Sequence, residues 1–203
     1  GTIYRQSPVI AVDAYGNSPL FIGDSQDSCI GTAQTCVASR ILKVDPNTPW
    51  HLTAVASHDY LRNHGEPIRE MHVNSDGSML AVLTNSGVAL LDGNLSLLGT
   101  LALSGNESIA PATISFIYGH NSGALGADNG GLIAVAHGNA PYVDLYDTYN
   151  FDLLKRFRIR DVVTGPIHLQ FTSLGGDIAI FAAAKDGIVV LETSLAEILA
   201  SMN

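Results

Sequence analysis

The chain has 203 residues, 46% of them hydrophobic and only 14% charged, with 20 glycines and a formal net charge of −9. That length gives one well-buried domain or two small ones, and the glycine-rich, weakly charged balance favours a single all-β domain and excludes a disordered chain. An acidic surface with few lysines opposes nucleic acid and anionic membranes as partners, because both need a cationic face.

No apolar run reaches the roughly 18 residues that span a bilayer, and GTIYRQ lacks the pattern of a signal peptide, so the chain reads as soluble with no membrane insertion. Without an initiator Met it fits a processed product, a trimmed form or part of something longer. Residues 1–6 hold a spare strand, Thr2-Ile3-Tyr4-Arg5. From Pro8 to Ala56 a first unit follows: SPVIAVDA, a turn at Tyr15 to Ser18, PLFIGD, an insertion from Ser25 to Val37, SRILKVD, a turn at Pro46 to Pro49, and WHLTAVA.

The second unit, Pro67 to Leu103, is the clearest. Four apolar runs, starting at Ile68, Met79, Val88 and Leu95, are separated by Ser75-Asp76-Gly77-Ser78, Asn85-Ser86-Gly87 and Gly93-Asn94. These turns carry the Asn, Asp and Gly that positive φ angles favour, and the spacing predicts a four-stranded antiparallel meander. Such a sheet has two apolar faces and must stack on others like it. A third unit runs from Ala112 to Ile159 through a glycine-rich loop, Gly119 to Gly131, and a fourth from Pro166 to Glu192.

The third runs of the units, RILKVD, VALLD, VDLYD and IVVLE, end on Asp45, Asp92, Asp147 and Glu192, a repeat of the length expected for propeller blades. Acids at such places accept hydrogen bonds from the turn that follows, with a ligand role as the alternative. After Glu192, Ser194 to Met202 has an N-cap Ser, a Glu three residues on, and Leu195, Ile198 and Leu199 on one stripe, which predicts a short helix over 194–202. The fourth unit therefore lacks an outer strand, and residues 1–6 are expected to supply it and close a ring.

The unit from Pro67, with Asn74-Ser75-Asp76-Gly77 at its turn and Leu91-Asp92 where Trp-Asp is usual, resembles a WD40-type repeat; the first unit is similar to NHL-type repeats. This resemblance implies an all-β propeller of about four four-stranded antiparallel blades. Leu132 to Asp147, LIAVAHGNAPYVDLYD, resembles repeats in propeller-like structural proteins of tailed bacteriophages. That likeness implies a non-catalytic interaction protein in a virion or extracellular setting, with neighbouring protein subunits as partners.

Cys29 and Cys36 sit in the insertion, where C-x6-C spacing suits a disulfide or two free thiols, and a zinc site only with two further ligands. The seven histidines have no i,i+4 or H-x-H spacing, and Ser57-His58-Asp59, being adjacent, cannot converge as a triad. Asp13, Asp24 and Glu70 are carboxylates that a cation-dependent propeller lactonase would need in its channel, which leaves a secreted hydrolase as the rival reading and a glycan-binding module as a third. No nucleophile elbow, P-loop or dinucleotide fingerprint occurs, and no cofactor is expected. Alternation along Lys155 to Arg160 puts Arg156, Arg158 and Arg160 on one face, either as charges guarding an edge strand or as a docking site for an acidic neighbour.

Overall fold

The computed structural model of the chain describes residues 4–5, 9–11, 20–24, 26–27, 40–44, 52–56, 68–74, 77–84, 87–101, 103, 111–118, 131–138, 140–172 and 176–201. In chain order the strands are β1 (Tyr4–Arg5), β2 (Val9–Ala11), β3 (Leu20–Asp24), β4 (Gln26–Asp27), β5 (Arg40–Val44) and β6 (Leu52–Ala56). There follow β7 (Glu70–Val73), β8 (Met79–Leu83), β9 (Val88–Asp92) and β10 (Leu97–Thr100). Next come β11 (Pro111–Tyr118), β12 (Leu132–His137), β13 (Tyr142–Asp147) and β14 (Leu153–Arg158). The chain ends with β15 (Val163–Phe171), β16 (Asp177–Ala184), β17 (Gly187–Ser194) and the helix α1 (Leu195–Ser201).

Each unit folds as an antiparallel meander in sequence order: β2-β3-β5-β6, β7-β8-β9-β10, β11-β12-β13-β14 and β15-β16-β17. The first strands of successive units lie side by side, β2 by β7, β7 by β11 and β11 by β15, so these are the inner strands of four blades arrayed about a common axis. Inner strands of such an array run in the same direction. Where β11 and β15 converge they pair in parallel, Ile117 opposite Leu169 and Tyr118 opposite Gln170, which joins the third and fourth blades into one seven-stranded sheet.

Turn chemistry sets the registers. Asn74 is buried, its side-chain oxygen accepts from the Met79 amide at 2.9 Å, and its carbonyl accepts from the amide of Gly77, whose φ of 73° suits a residue without a Cβ. In the turn between β9 and β10 the Asp92 carboxylate accepts from the amides of Asn94 and Ser96, both at 2.8 Å. Asp147 does the same for the Tyr149 amide at 2.8 Å and for the Asn150 side-chain amide at 3.1 Å. Both in-register acids are thus turn acceptors. Glu192 has no turn to hold, because β17 runs on into α1, and Asp45 lies outside the described residues.

The strand in residues 1–6 is a correction. Tyr4 and Arg5 pair with Asp27 and Gln26 of β4, inside the first blade's insertion, rather than with the fourth blade. The partner is about twenty residues away along the chain, so its loop closes at a smaller entropic cost than one to β17. Among the described residues β17 is left as the outer edge of the fourth blade. Ser194 caps α1 as expected, its hydroxyl accepting from the Glu197 amide at 3.2 Å.

Candidate functional site

Three apolar clusters lie between the blades, and each is built the same way. Alternation sends odd and even residues of a strand to opposite faces, so every sheet has one face toward the preceding blade and one toward the following blade. Ala11, Phe21 and Ile41 of the first blade meet Ile68, Val73, Leu80 and Val82 of the second. Met79, Ala81, Leu83 and Leu90 of the second meet Ile114, Phe116, Val135 and Tyr146 of the third. Leu132, Ala134 and Leu145 of the third meet Leu169, Ile178 and Ile180 of the fourth, with Leu195 and Ile198 of α1 packed on the same cluster.

Two bulky residues in left-handed conformation lock neighbouring blades. Leu95 (φ 67°) in the turn held by Asp92 is buried in the cluster shared with the first blade. Phe151 (φ 62°), after the turn held by Asp147, lies over Gly99 of β10 in the second blade. Each register acid thus fixes a turn that places an apolar latch on the blade before it.

The polar groups at the interfaces are committed as well. Glu70 on β7 spans to β11: one oxygen meets His72 Nε2 at 2.7 Å and accepts from Thr113 Oγ1 at 3.1 Å, and the other accepts from the Ile114 amide at 3.1 Å. Burial pushes this carboxyl up, but the hydrogen bond and charge of His72 and the donors of Thr113 and Ile114 outweigh it and hold it below its ordinary 4.5. Ser115 on β11 accepts from the Leu169 amide of β15 at 3.1 Å, and Lys43 Nζ donates to the Gly93 carbonyl of the next blade.

Deeper in the third blade, Asp144 is fully buried on β13 and takes a two-pronged hydrogen bond from Arg156, Nε to Oδ1 at 2.7 Å and Nη2 to Oδ2 at 2.8 Å. His137 Nε2 reaches the same Oδ2 at 3.0 Å, and Tyr142 stacks under the guanidinium at 4.8 Å. Burial raises the Asp144 carboxyl, yet Arg156 and His137 together hold it below its ordinary 3.8. His137 Nδ1 is buried without a hydrogen-bond partner.

Arg156, grouped by alternation with Arg158 and Arg160 as a docking row, therefore turns inward to neutralise Asp144. Arg158 and Arg160 are exposed, the latter beyond the end of β14. Glu70 binds across the second and third blades with both oxygens engaged. Asp13, Cys29, Cys36, Ser57, His58 and Asp59, and the Asp24 side chain, lie outside the described residues, as do most of the insertion and the loop at 119–130. Beside α1 a shallow groove is lined by Thr172, Asp177, Glu192, Ser194 and Glu197, but Glu197 is engaged by Lys155 at 3.0 Å. Among the described residues no three His, Cys, Asp or Glu side chains gather closely enough to hold a metal, and no helix is long and apolar enough to cross a membrane.

Two outer sheet faces also carry exposed apolar side chains. On the first blade, Ile10, Ile22 and Leu42 stand in register across β2, β3 and β5 on the face away from the second blade, and Ile10 is 57% exposed. On the fourth, Phe181 of β16 stands opposite Val190 of β17, with Ile188 beside it, on the face away from the third blade. Ile188 is 74% exposed and Val190 48%. Neither row could be singled out from sequence, because alternation does not say which blade is last in the array.

No protein family and no curated protein matches the chain in sequence. Solved structures do match its fold. The β-propeller domain of Myceliophteria thermophila Cps50 (Swd1) aligns with a TM-score of 0.64 at 13% identity, over 94% of this chain and 55% of that one. Kuenenia stuttgartiensis hydrazine synthase gives 0.61 at 15% identity, over 98% and 49%. Dihydro-heme d1 dehydrogenase NirN in complex with DHE gives 0.56 at 15% identity, over 95% and 35%. The fold is that of a β-propeller, and the chain spans about half the length of the first two structures.

Proposed function

We propose that the protein is a non-catalytic propeller scaffold that joins other proteins, and that its setting is the virion of a tailed bacteriophage. The observation that carries the scaffold reading is the disposition of charge: Glu70, half-buried between the second and third blades, and Asp144, buried within the third, are consumed in hydrogen bonds that hold strands together, while Ile10, Ile188 and Val190 stand exposed on the two outermost sheet faces. A catalytic or metal-binding channel needs the reverse, converging polar groups with open valences. The virion setting is supported by the likeness of Leu132 to Asp147 to repeats of phage structural proteins.

The test has two arms. Mass spectrometry of gradient-purified particles from a phage encoding this chain is expected to find its peptides at the copy number of a structural component. The purified chain is expected to turn over neither lactone nor ester substrates, with or without calcium. Absence from particles removes the virion setting, and chelator-sensitive turnover removes the scaffold reading.

A further inference from the structure

We propose that Arg158 and Arg160, at the end of the third blade's outer strand, form a docking site for an extended acidic segment of another protein, one with carboxylates at every second position. The inference deepens the scaffold reading and rests on it, naming one working surface and the chemistry of its partner. The site lies on a blade packed on both sides within the chain, so it is independent of what precedes the first blade or follows the fourth.

Cations are scarce in this chain, 10 Lys and Arg against 19 Asp and Glu, yet four of the ten fall within residues 155–160. Two of the four are committed to the fold. Lys155 Nζ donates to Thr193 Oγ1 at 2.7 Å and to Glu197 at 3.0 Å, and Arg156 is forked onto the buried Asp144. Arg158 and Arg160 are exposed, and among the described residues neither side chain has a hydrogen-bond or ion-pair partner. Guarding a strand edge does not account for them. Every blade has an outer strand to protect, but none of the other three, β6, β10 and β17, carries a Lys or Arg.

Arg158 stands opposite Tyr142 across β13 and β14, as Arg156 stands opposite Asp144, so the four side chains share one face. Arg156 already neutralises Asp144 and lies over the Tyr142 ring at 4.8 Å, which leaves Arg158 beside an aromatic ring with no carboxylate of its own. A guanidinium so placed suits a carboxylate, whose two oxygens its planar fork can take together. Arg160 follows two residues on, a step of roughly 6–7 Å in extended chain and the spacing of alternate side chains on a partner strand. β14 is the outer member of its sheet among the described residues, and an extended segment can lie along that edge. At the other end of β14, Leu153 is 38% exposed and offers an apolar seat. That seat, and a net charge of −9 that repels a long polyanion, favour an acidic peptide over nucleic acid.

The test uses the whole chain in fluorescence anisotropy, and the probe is a labelled peptide that alternates glutamate with threonine and ends in leucine. The parent is expected to bind it, and the binding to weaken as salt rises from about 50 to about 200 mM. Arg158→Gln and Arg160→Gln are each expected to weaken binding about threefold to fivefold, the worth of one exposed charge pair, and the double variant about tenfold or more. Lys185→Gln, which removes an exposed cation from the fourth blade, is expected to leave binding within about twofold. Because neither arginine holds a partner in the fold, R158Q and R160Q are expected to keep the parent's thermal transition, which checks that they are folded. A parent that does not bind the peptide, a folded double variant that binds like the parent, or an equal loss in K185Q would overturn the inference. So would a single-stranded oligonucleotide that binds at the same arginines more tightly than the peptide. Failure to bind, without turnover of lactone or ester, leaves the scaffold reading standing, whereas turnover removes that reading whether or not the peptide binds.

Discussion

Replacing Arg156 by Met tests whether this residue belongs to the fold or to a docking row. The Asp144 carboxylate is fully buried and loses its two shortest hydrogen bonds, at 2.7 and 2.8 Å, leaving His137 at 3.0 Å and the Tyr146 hydroxyl at 3.4 Å. Removing one partner of a buried ion pair costs about 3–5 kcal/mol. The Arg156 side chain is 34% exposed, so water replaces part of what is lost, and about 2–3 kcal/mol is the better expectation. In a domain of this size that lowers the melting temperature by roughly 5–10 °C. The assay is urea and thermal unfolding of R156M, Arg158→Met and the double variant R156M/D144N. R158M is expected to stay within about 0.5 kcal/mol of the parent, and the double variant to recover about half the loss because no unpaired charge remains. If R156M unfolds like R158M, the inward pairing does not hold the third blade and the docking reading of Arg156 returns.

Three further changes probe the latches and the interblade carboxylate. Gly99→Ala would bring a Cβ to 2.6 Å from Phe151 Cε2, so the ring must leave its seat; a loss of about 1–3 kcal/mol in urea unfolding is expected, and an unchanged midpoint would mean that Phe151 is no latch. Asp92→Ala removes the acceptor of two backbone amides in the turn that holds Leu95 in left-handed conformation, and should cost about 1 kcal/mol by the same measurement, with no loss if the acid is idle. Glu70 is held below its ordinary 4.5, so the unfolded chain binds the proton more readily; its contribution is full above that value and fades as pH falls through the lower folded value. Glu70→Gln should therefore flatten the acid limb of stability against pH below about 4.5 and cost about 1–2 kcal/mol at neutral pH; two superimposable acid limbs would refute the clamp.

The blades were legible where local chemistry sets the register. Asn74 and Gly77 announce their turn, and the in-register acids announce that Asp92 and Asp147 hold the next one. The left-handed Leu95 and Phe151 were not legible, since bulky residues disfavour that conformation and only burial against the neighbouring blade offsets its cost. Alternation put Arg156 on a face with Arg158 and Arg160, but it gives direction without partners. The available signal was Asp144, an acid between Val143 and Leu145 in the middle of a run otherwise fit for burial, which requires a cation nearby. Glu70 read as a channel carboxylate for the same reason. Its true partners, Thr113 and Ile114, lie one repeat along the chain, at the place on β11 that corresponds to Glu70 on β7.

That one-repeat offset describes how the array is stabilised. Each blade touches only its neighbours, so its stability is close to a sum of blade terms and interface terms. Within one chain four blades share three apolar interfaces, and the polar bridges follow the same order: Lys43 to the second blade, Glu70 to the third, Ser115 to the fourth. Among the described residues the first and fourth blades are each packed on one neighbouring blade, and β17 is the outer edge of the fourth. Among the described residues these two blades therefore have least to hold them.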